Sequence, residues 1–258
     1  MTNRVASIAF NTFREAVRDR VLYNLVVFAI LMVASSLLFG QISIGIERLI
    51  IVNLGLTAIS LFGLIIAIFI GISLVSKEIE KRTLYTVLAR PVRRWEFLLG
   101  KFFGLAGTLV VNASFMAIGF FLALMLVVHR FQAQDGWLLV AIYFIVLQFL
   151  VVTAITLFFS TFSSPLLAAI FTLAIFVIGT FAQDLRTFAA LMHGPAGWLA
   201  FGTAHLVPNF ASMNVISSVA HGNPVAGSLI VYNTLYALLY AAAAVAGASI
   251  IFERRNLK

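Results

Sequence analysis

The chain of 258 residues is 62% hydrophobic and only 10% charged, with a formal net charge of +8 and a mean hydropathy of +1.09. A water-soluble domain averages about half apolar and a quarter charged residues, so this composition excludes one and calls for a bilayer. With no cysteine, disulfides and thiolate metal sites are excluded as well.

In chain order, residues 4–19 come first. Val5, Ile8, Ala9, Phe13, Ala16 and Val17 make an apolar stripe at helical spacing, with Arg4, Asn11, Arg14, Glu15 and Arg18 largely elsewhere. This predicts an amphipathic helix lying at the membrane interface. A cleaved signal peptide is the rival, with Val21 to Phe39 as its apolar region and Ala34-Ser35-Ser36 as a weak cleavage site. The long leader, its acids and the length of the run disfavour it.

A bilayer core about 30 Å thick needs roughly 20 apolar residues per helix. Six uncharged runs meet that length, near residues 21–39, 49–75, 103–128, 137–159, 165–183 and 225–252. They are continuous rather than alternating, so the fold class is an all-α polytopic membrane protein and not a β-barrel. The second run holds Gly63, Ala67 and Gly71, a small-residue ladder that lets another helix approach closely, chiefly within one subunit. Ser164-Pro165 and Asn223-Pro224 read as helix starts for the fifth and sixth spans. The outer loop 184–223 is too apolar to be solvated and too broken by Gly and Pro to span, which predicts short helices dipping into or lying on the outer leaflet.

Residues 76–102 differ from everything around them. From Ser76 to Lys101, ten of twenty-six residues are charged. Leu84, Val87 and Leu88 recur at helical spacing before Arg90 and Pro91 break the helix, and Trp95, Phe97 and Leu98 restart it. The product is an amphipathic hairpin at the membrane surface. Of 17 Lys and Arg residues, fourteen lie in the N-terminal segment, this loop and the C-terminal tail; only Arg48, Arg130 and Arg186 lie opposite. The positive-inside rule then puts both termini and the hairpin in the cytoplasm. Lipid attraction accounts for the basic residues but leaves Glu78, Glu80 and Glu96 unexplained; these suit a protein partner of complementary charge.

No acid falls in the middle of a span, which argues against a proton-coupled carrier. "LLGKFFG" lacks the earlier glycine and the hydroxyl of a P-loop, and neither H-E-x-x-H nor G-x-S-x-G occurs. The chain is therefore read as non-enzymatic, with no catalytic residues, no metal site and no cofactor of its own. His129, His193, His205 and His221 all fall on the outer side without ligand spacing and read as structural. Tyr232, Tyr236 and Tyr240 form an i, i+4, i+8 stripe, as packing or as a possible substrate path. Asn53, Asn112, Gln148 and Asn233 read as hydrogen-bond links between spans.

An apolar second span followed by acids, "TL", "ARPVRR" and "EFLLGK", together with an amphipathic first helix, six spans, a broken outer loop and the tail "FERRNLK", resembles the ABC-2 type transporter permeases. Arg82 departs from the glycine often found before "TL" in that family. The resemblance implies a permease subunit, in a bacterial inner membrane, of an ATP-driven exporter working by alternating access. A second permease subunit, identical or a paralogue, would pair with it, and separate ATPase subunits would bind ATP and Mg. Glu78, Glu80, Arg82, Tyr85 and Arg90 would contact the ATPase, with Pro91 setting the corner. Arg93, Arg94, Lys101, Arg254 and Arg255 would grip lipid phosphates. A stand-alone channel or carrier is the first rival; a membrane-embedded enzyme using outer histidines with Ser212 or Ser217 is the second.

Overall fold

The computed structural model of the chain describes residues 2–18, 27–28, 30–32, 34–35, 46–80, 93–128, 133–191 and 194–254. They form helices α1 (Thr2–Arg18), α2 (Glu47–Glu80), α3 (Arg94–Val128), α4 (Gly136–Ser160), α5 (Pro165–Thr180), α6 (Ala182–Leu191), α7 (Pro195–Leu206), α8 (Ile216–Ala220) and α9 (Gly227–Arg254). Short 3-10 turns lie at Ala133–Asp135 and Ala211–Met213, and there is no strand among the described residues.

Among the described residues four helices, α2 as far as Ile72, α3, α4 and α9, are long and apolar enough to cross a membrane. The pair α5 and α6, bent by 60°, is a fifth if counted as one broken span. Six spans were expected; of the first, 21–39, only residues 27–28, 30–32 and 34–35 are among those described, and they are helical.

Helix α4 is apolar on every side, with a span hydropathy of 2.7, and a helix of that kind has no face to give to water. It occupies the centre of the bundle, 72% buried, with α2, α3, α5 and α9 packed around it. In lipid the hydrophobic effect does not drive helices together, so close packing must hold them. The glycine ladder supplies that here. A side chain at Gly63 would overlap the ring of Phe149 on α4, and one at Gly71 would press on Thr156 of the same helix. The ladder thus seats α4 within the subunit.

Helices α2 and α3 contain 34 and 35 residues. At 1.5 Å per residue each is roughly 50 Å long, well beyond the ~30 Å hydrocarbon core. Hydropathy placed the two spans at 49–75 and 103–128, yet α2 runs on to Glu80 and α3 starts at Arg94. Both extensions point toward the charged segment between them. The start of α3 is fixed by Glu96, whose carboxylate accepts the Arg93 N–H at 3.0 Å, the acidic half of a capping box.

Two boundaries differ from expectation. Helix α5 does begin at Pro165 after an extended Ser164, but that serine makes no capping hydrogen bond. It ends at Thr180 instead of Gln183, because Gly179 lies against Pro208 and Phe210 and the chain turns there. Helix α9 starts at Gly227, not at Pro224. Gly222, at φ +78°, closes a turn after α8, the Asn223 N–H is held by Ser218 O, and Ala226 O accepts the first bonds of α9.

The packing makes Gly63→Ala costly, by about 1–3 kcal/mol for an overpacked core. Gly202→Ala on α7 meets open space and is expected to be neutral. Thermal unfolding in detergent should separate the two; equal midpoints would contradict the assigned contact.

Candidate functional site

The charged segment, expected to carry the partner contacts, is only partly described. Glu78 and Glu80 lie in the last turns of α2, and their side chains are outside the described set, as are Arg82, Tyr85, Arg90 and Pro91 entirely. What is described is the junction where the segment re-enters the bundle, at the start of α3.

That junction ties three helices together. The Arg94 guanidinium donates from Nη1 to the Phe252 and Glu253 carbonyls, at 2.8 and 3.1 Å, and lies 5.8 Å from the centre of the Phe252 ring. These carbonyls belong to the last turn of α9, where the helix has no donors of its own and carries a partial negative charge. Arg94 therefore caps α9. Phe97, one turn further along α3, stacks on Phe252 with centroids 6.3 Å apart. Glu96 and Phe97 are both buried, so this face of α3 is closed against the bundle.

Helix α1 covers another face of α3. A side chain at Gly100 would meet Ile8, and one at Gly104 would meet Thr12 and the Ala9 carbonyl. Ala16 and Thr12 are buried, while Arg4, Asn11 and Arg14 are exposed. The expected amphipathic stripe is present, and much of it packs on protein. Lys101 is enclosed in the same place. Its side chain is 3% exposed, with Nζ 3.9 Å from Glu15 and 5.6 Å from the Phe97 ring.

Of the residues expected to anchor lipid, Lys101 is buried and Arg94 is engaged with the end of α9. Arg93 is exposed; the side chains of Arg254 and Arg255 lie outside the described set.

The tyrosine stripe has a different role from a bare path wall. Between α7 and α8 the chain runs irregularly through Val207–Phe210 and then through the 3-10 turn Ala211–Met213, with Val207, Pro208, Asn209, Phe210 and Met213 buried. Backbone without helical pairing is tolerated at membrane depth only if each polar group finds a partner. Helix α9 supplies some of these partners and one for the end of α7. Tyr236 Oη accepts the Asn209 N–H at 3.0 Å, Tyr240 Oη donates to Leu206 O at 3.1 Å, and Asn233 Nδ2 donates to Ser212 O at 3.2 Å. The Ser212 hydroxyl lies 2.8 Å from Asn233 Oδ1, and the Phe210 N–H reaches Gly179 O on α5 at 3.0 Å. Tyr232 is exposed and contributes only a ring, stacked on Tyr236. Counted from the start of α9, Tyr236 and Tyr240 lie roughly 14–20 Å along the helix, so the clasped segment reaches well into the bundle.

Other expected polar links divide. Asn233 joins two elements. Asn53 does not: its amide donates to Leu49 O on its own helix at 3.0 Å. Asn112 is 3% exposed with both amide atoms unpartnered, because the neighbours of this stretch of α3 are apolar.

His205 and His221 each donate from Nδ1 to a carbonyl four residues back, Phe201 O and Ser217 O, at 2.8 Å. His129 and His193 lie outside the described residues, and among the described residues no group of three or more His, Cys, Asp or Glu could hold a metal ion. At the end of the bundle away from the charged segment sequence reasoning missed one pair: Arg48, at the start of α2, is salt-bridged to Asp135 before α4 and reaches Ala220 O on α8. Arg48 lies in the first turn of α2 and Asp135 just before α4, and only their opposite charge hinted at the pairing.

A family model described as ABC-2 family transporter protein matches residues 6–257 of the chain. No curated protein matches it.

The tyrosines should rank by what each hydroxyl holds. Tyr236→Phe strands a buried backbone N–H and is expected to cost about 1–3 kcal/mol, Tyr240→Phe less, and Tyr232→Phe nothing measurable. Hydrogen exchange at Asn209 should accelerate only in the first. Breaking Arg48–Asp135 with Asp135→Ala leaves a mostly buried guanidinium unpaired, with a loss of about 3 kcal/mol expected in thermal unfolding.

Proposed function

The chain belongs to the ABC-2 transporter family, a multi-pass membrane group, and from that premise we propose that it is the permease subunit of an ATP-driven exporter. Family membership implies an ABC ATPase partner in general. In this reading the charged segment 76–102 docks on that ATPase through Glu78, Glu80, Arg82, Tyr85 and Arg90, with Pro91 at its corner. ATP and Mg belong to the partner. A second permease subunit completes the translocation path, and both termini are cytoplasmic.

The observation that carries the reading is the pair of continuous helices on either side of the segment. Helices α2 and α3 extend past the membrane at the end that bears it, and both run unbroken into the core around α4. A push on the segment is therefore a push on two rigid rods. At the foot of α3 the Arg94 bonds and the Phe97–Phe252 stack extend the same displacement to α9. Motion of packed elements as rigid bodies is the usual route from a local contact to an opened path.

The rival, a stand-alone channel or carrier, predicts transport with no nucleotide-hydrolysing partner. The enzyme reading has less support: Ser212 Oγ is within hydrogen-bond distance of Asn209 O and Asn233 Oδ1 rather than of a base.

Gentle purification should bring down an ATPase polypeptide, and Glu78→Lys with Glu80→Lys should release it, since like charges juxtaposed across an interface cost several kcal/mol. Full retention of the ATPase after both reversals would contradict the docking face; activity of the lone chain in ATP-free vesicles would contradict the function.

A further inference from the structure

Helix α7 ends deep in the bundle. Its Leu206 carbonyl is held by Tyr240, which, counted from Gly227, stands halfway along the 28 residues of α9. The end of α7 is therefore level with the middle of a helix long and apolar enough to cross a membrane. The hydrocarbon core extends about 15 Å to either side of that level. Trp198 lies eight residues before Leu206, at most about 12 Å away along the helix axis. Whatever the tilt of α7, its stretch from Trp198 to Leu206 is at hydrocarbon depth.

The surface of that stretch is apolar and open. Trp198, Leu199, Phe201 and Leu206 are 78%, 73%, 53% and 79% exposed, while Gly197, Ala200 and Ala204 turn inward. The polar side chains beside them are satisfied within the helix: Thr203 Oγ1 donates to Leu199 O and His205 Nδ1 to Phe201 O, both at 2.8 Å. At about 100° per residue the exposed positions sweep roughly 160° around α7, from Phe201 through Trp198 to Leu199. That is wider than the ~100° stripe by which a helix usually meets a packed neighbour.

The companion helix suits another depth. Helix α6 packs along α7, and Arg186 Nη2 reaches Ala204 O at 3.4 Å. It follows Gly179, whose carbonyl holds the Phe210 N–H, and the adjacent Asn209 N–H is held by Tyr236, one turn of α9 nearer Gly227 than Tyr240. The start of α6 is thus about 6 Å closer than the end of α7 to the surface away from the charged segment. Its exposed side carries Gln183, Asp184 and Thr187 beside Phe188 and Leu191. A carboxylate is costly in hydrocarbon, and a mixed face of this kind belongs at the headgroup boundary.

We infer that the α6–α7 hairpin is anchored in the leaflet away from the charged segment, with the open face of α7 covered by phospholipid acyl chains and α6 lying at the headgroup boundary. The sequence left open whether the short helices of the outer loop dip into the leaflet or lie on it; the two helices divide these roles. A second copy seated on one stripe of α7 would leave the rest of the arc bare, whereas acyl chains cover all of it. The Tyr240 bond fastens the immersed helix to α9. The inference needs only that α9 crosses the bilayer, and not the ATPase partner, so this reading and the proposed function succeed or fail separately.

The test reconstitutes the full chain with Trp95→Phe and Trp137→Phe, leaving Trp198 as the only tryptophan, in vesicles of phosphatidylcholine with plain or brominated acyl chains. Trp198 should lose at least half of its fluorescence in the brominated lipid. Independently, in the otherwise unaltered chain, which has no native cysteine, Thr187→Cys should react with a water-soluble maleimide at least tenfold faster than Leu199→Cys. Unquenched Trp198 emission, or equal labelling at the two positions, would overturn the assignment. Disulfide cross-linking of Leu199→Cys between two copies, with Trp198 shielded from the brominated lipid, would overturn it in favour of a second copy.

Discussion

A bilayer gives the backbone no water to bond with, and this one constraint orders the molecule. It forces nearly every described residue into helix and makes the interior a problem of steric fit rather than of hydrophobicity. Helix α4 meets the constraint by being apolar all round and buried over most of its length. Helix α2 approaches it only because Gly63 and Gly71 leave room for Phe149 and Thr156. Around the break in helix at Val207–Phe210, backbone groups between Leu206 and Ser212 are taken up in part by Asn233, Tyr236 and Tyr240 of α9 and by Gly179 O of α5. The irregular segment and the last span are in that sense one unit.

The two ends of the bundle are fastened differently. On one side Arg48 and Asp135 join α2, α4 and α8 by a largely enclosed ion pair. On the other, Arg94 grips carbonyls, Phe97 stacks on Phe252, and Lys101 lies buried near Glu15 where α1 crosses α3. The second set adjoins the charged segment, so a displacement there reaches α1 and α9 as well as α3. Membership of the ABC-2 transporter family gives this arrangement its purpose in the reading proposed above. Force enters at the segment and leaves through helices too stiff to absorb it.

Much of this was legible in the sequence. Long uncharged runs located the four helices able to cross, since hydropathy responds to the same solvent that selects the helices. The glycine ladder read correctly because a missing side chain has one dominant use in lipid. Hydropathy could not see that α2 and α3 continue beyond their uncharged runs, because helix ends outside a bilayer are written with Glu, Lys and Arg. Glu96 was a legible sign, three residues after Arg93, but its acidity suggested a partner before it suggested a cap. The tyrosine stripe gave its spacing and not its target, which lies about thirty residues away and has no regular structure. Asn53 and Asn112 were indistinguishable from Asn233 in sequence; which amide links two elements depends on what stands opposite it.

The central claim is that displacement of the charged segment is carried into the bundle along α3. As the chain has no native cysteine, spin labels at Arg93→Cys and Leu139→Cys, both exposed positions at opposite ends of α3 and α4, can report on it by pulsed electron resonance in the complex with its ATPase. The account predicts that trapping the ATPase with a non-hydrolysable ATP analogue shifts the distance distribution between the labels by several ångströms. An unchanged distribution in a complex that still hydrolyses ATP would contradict it.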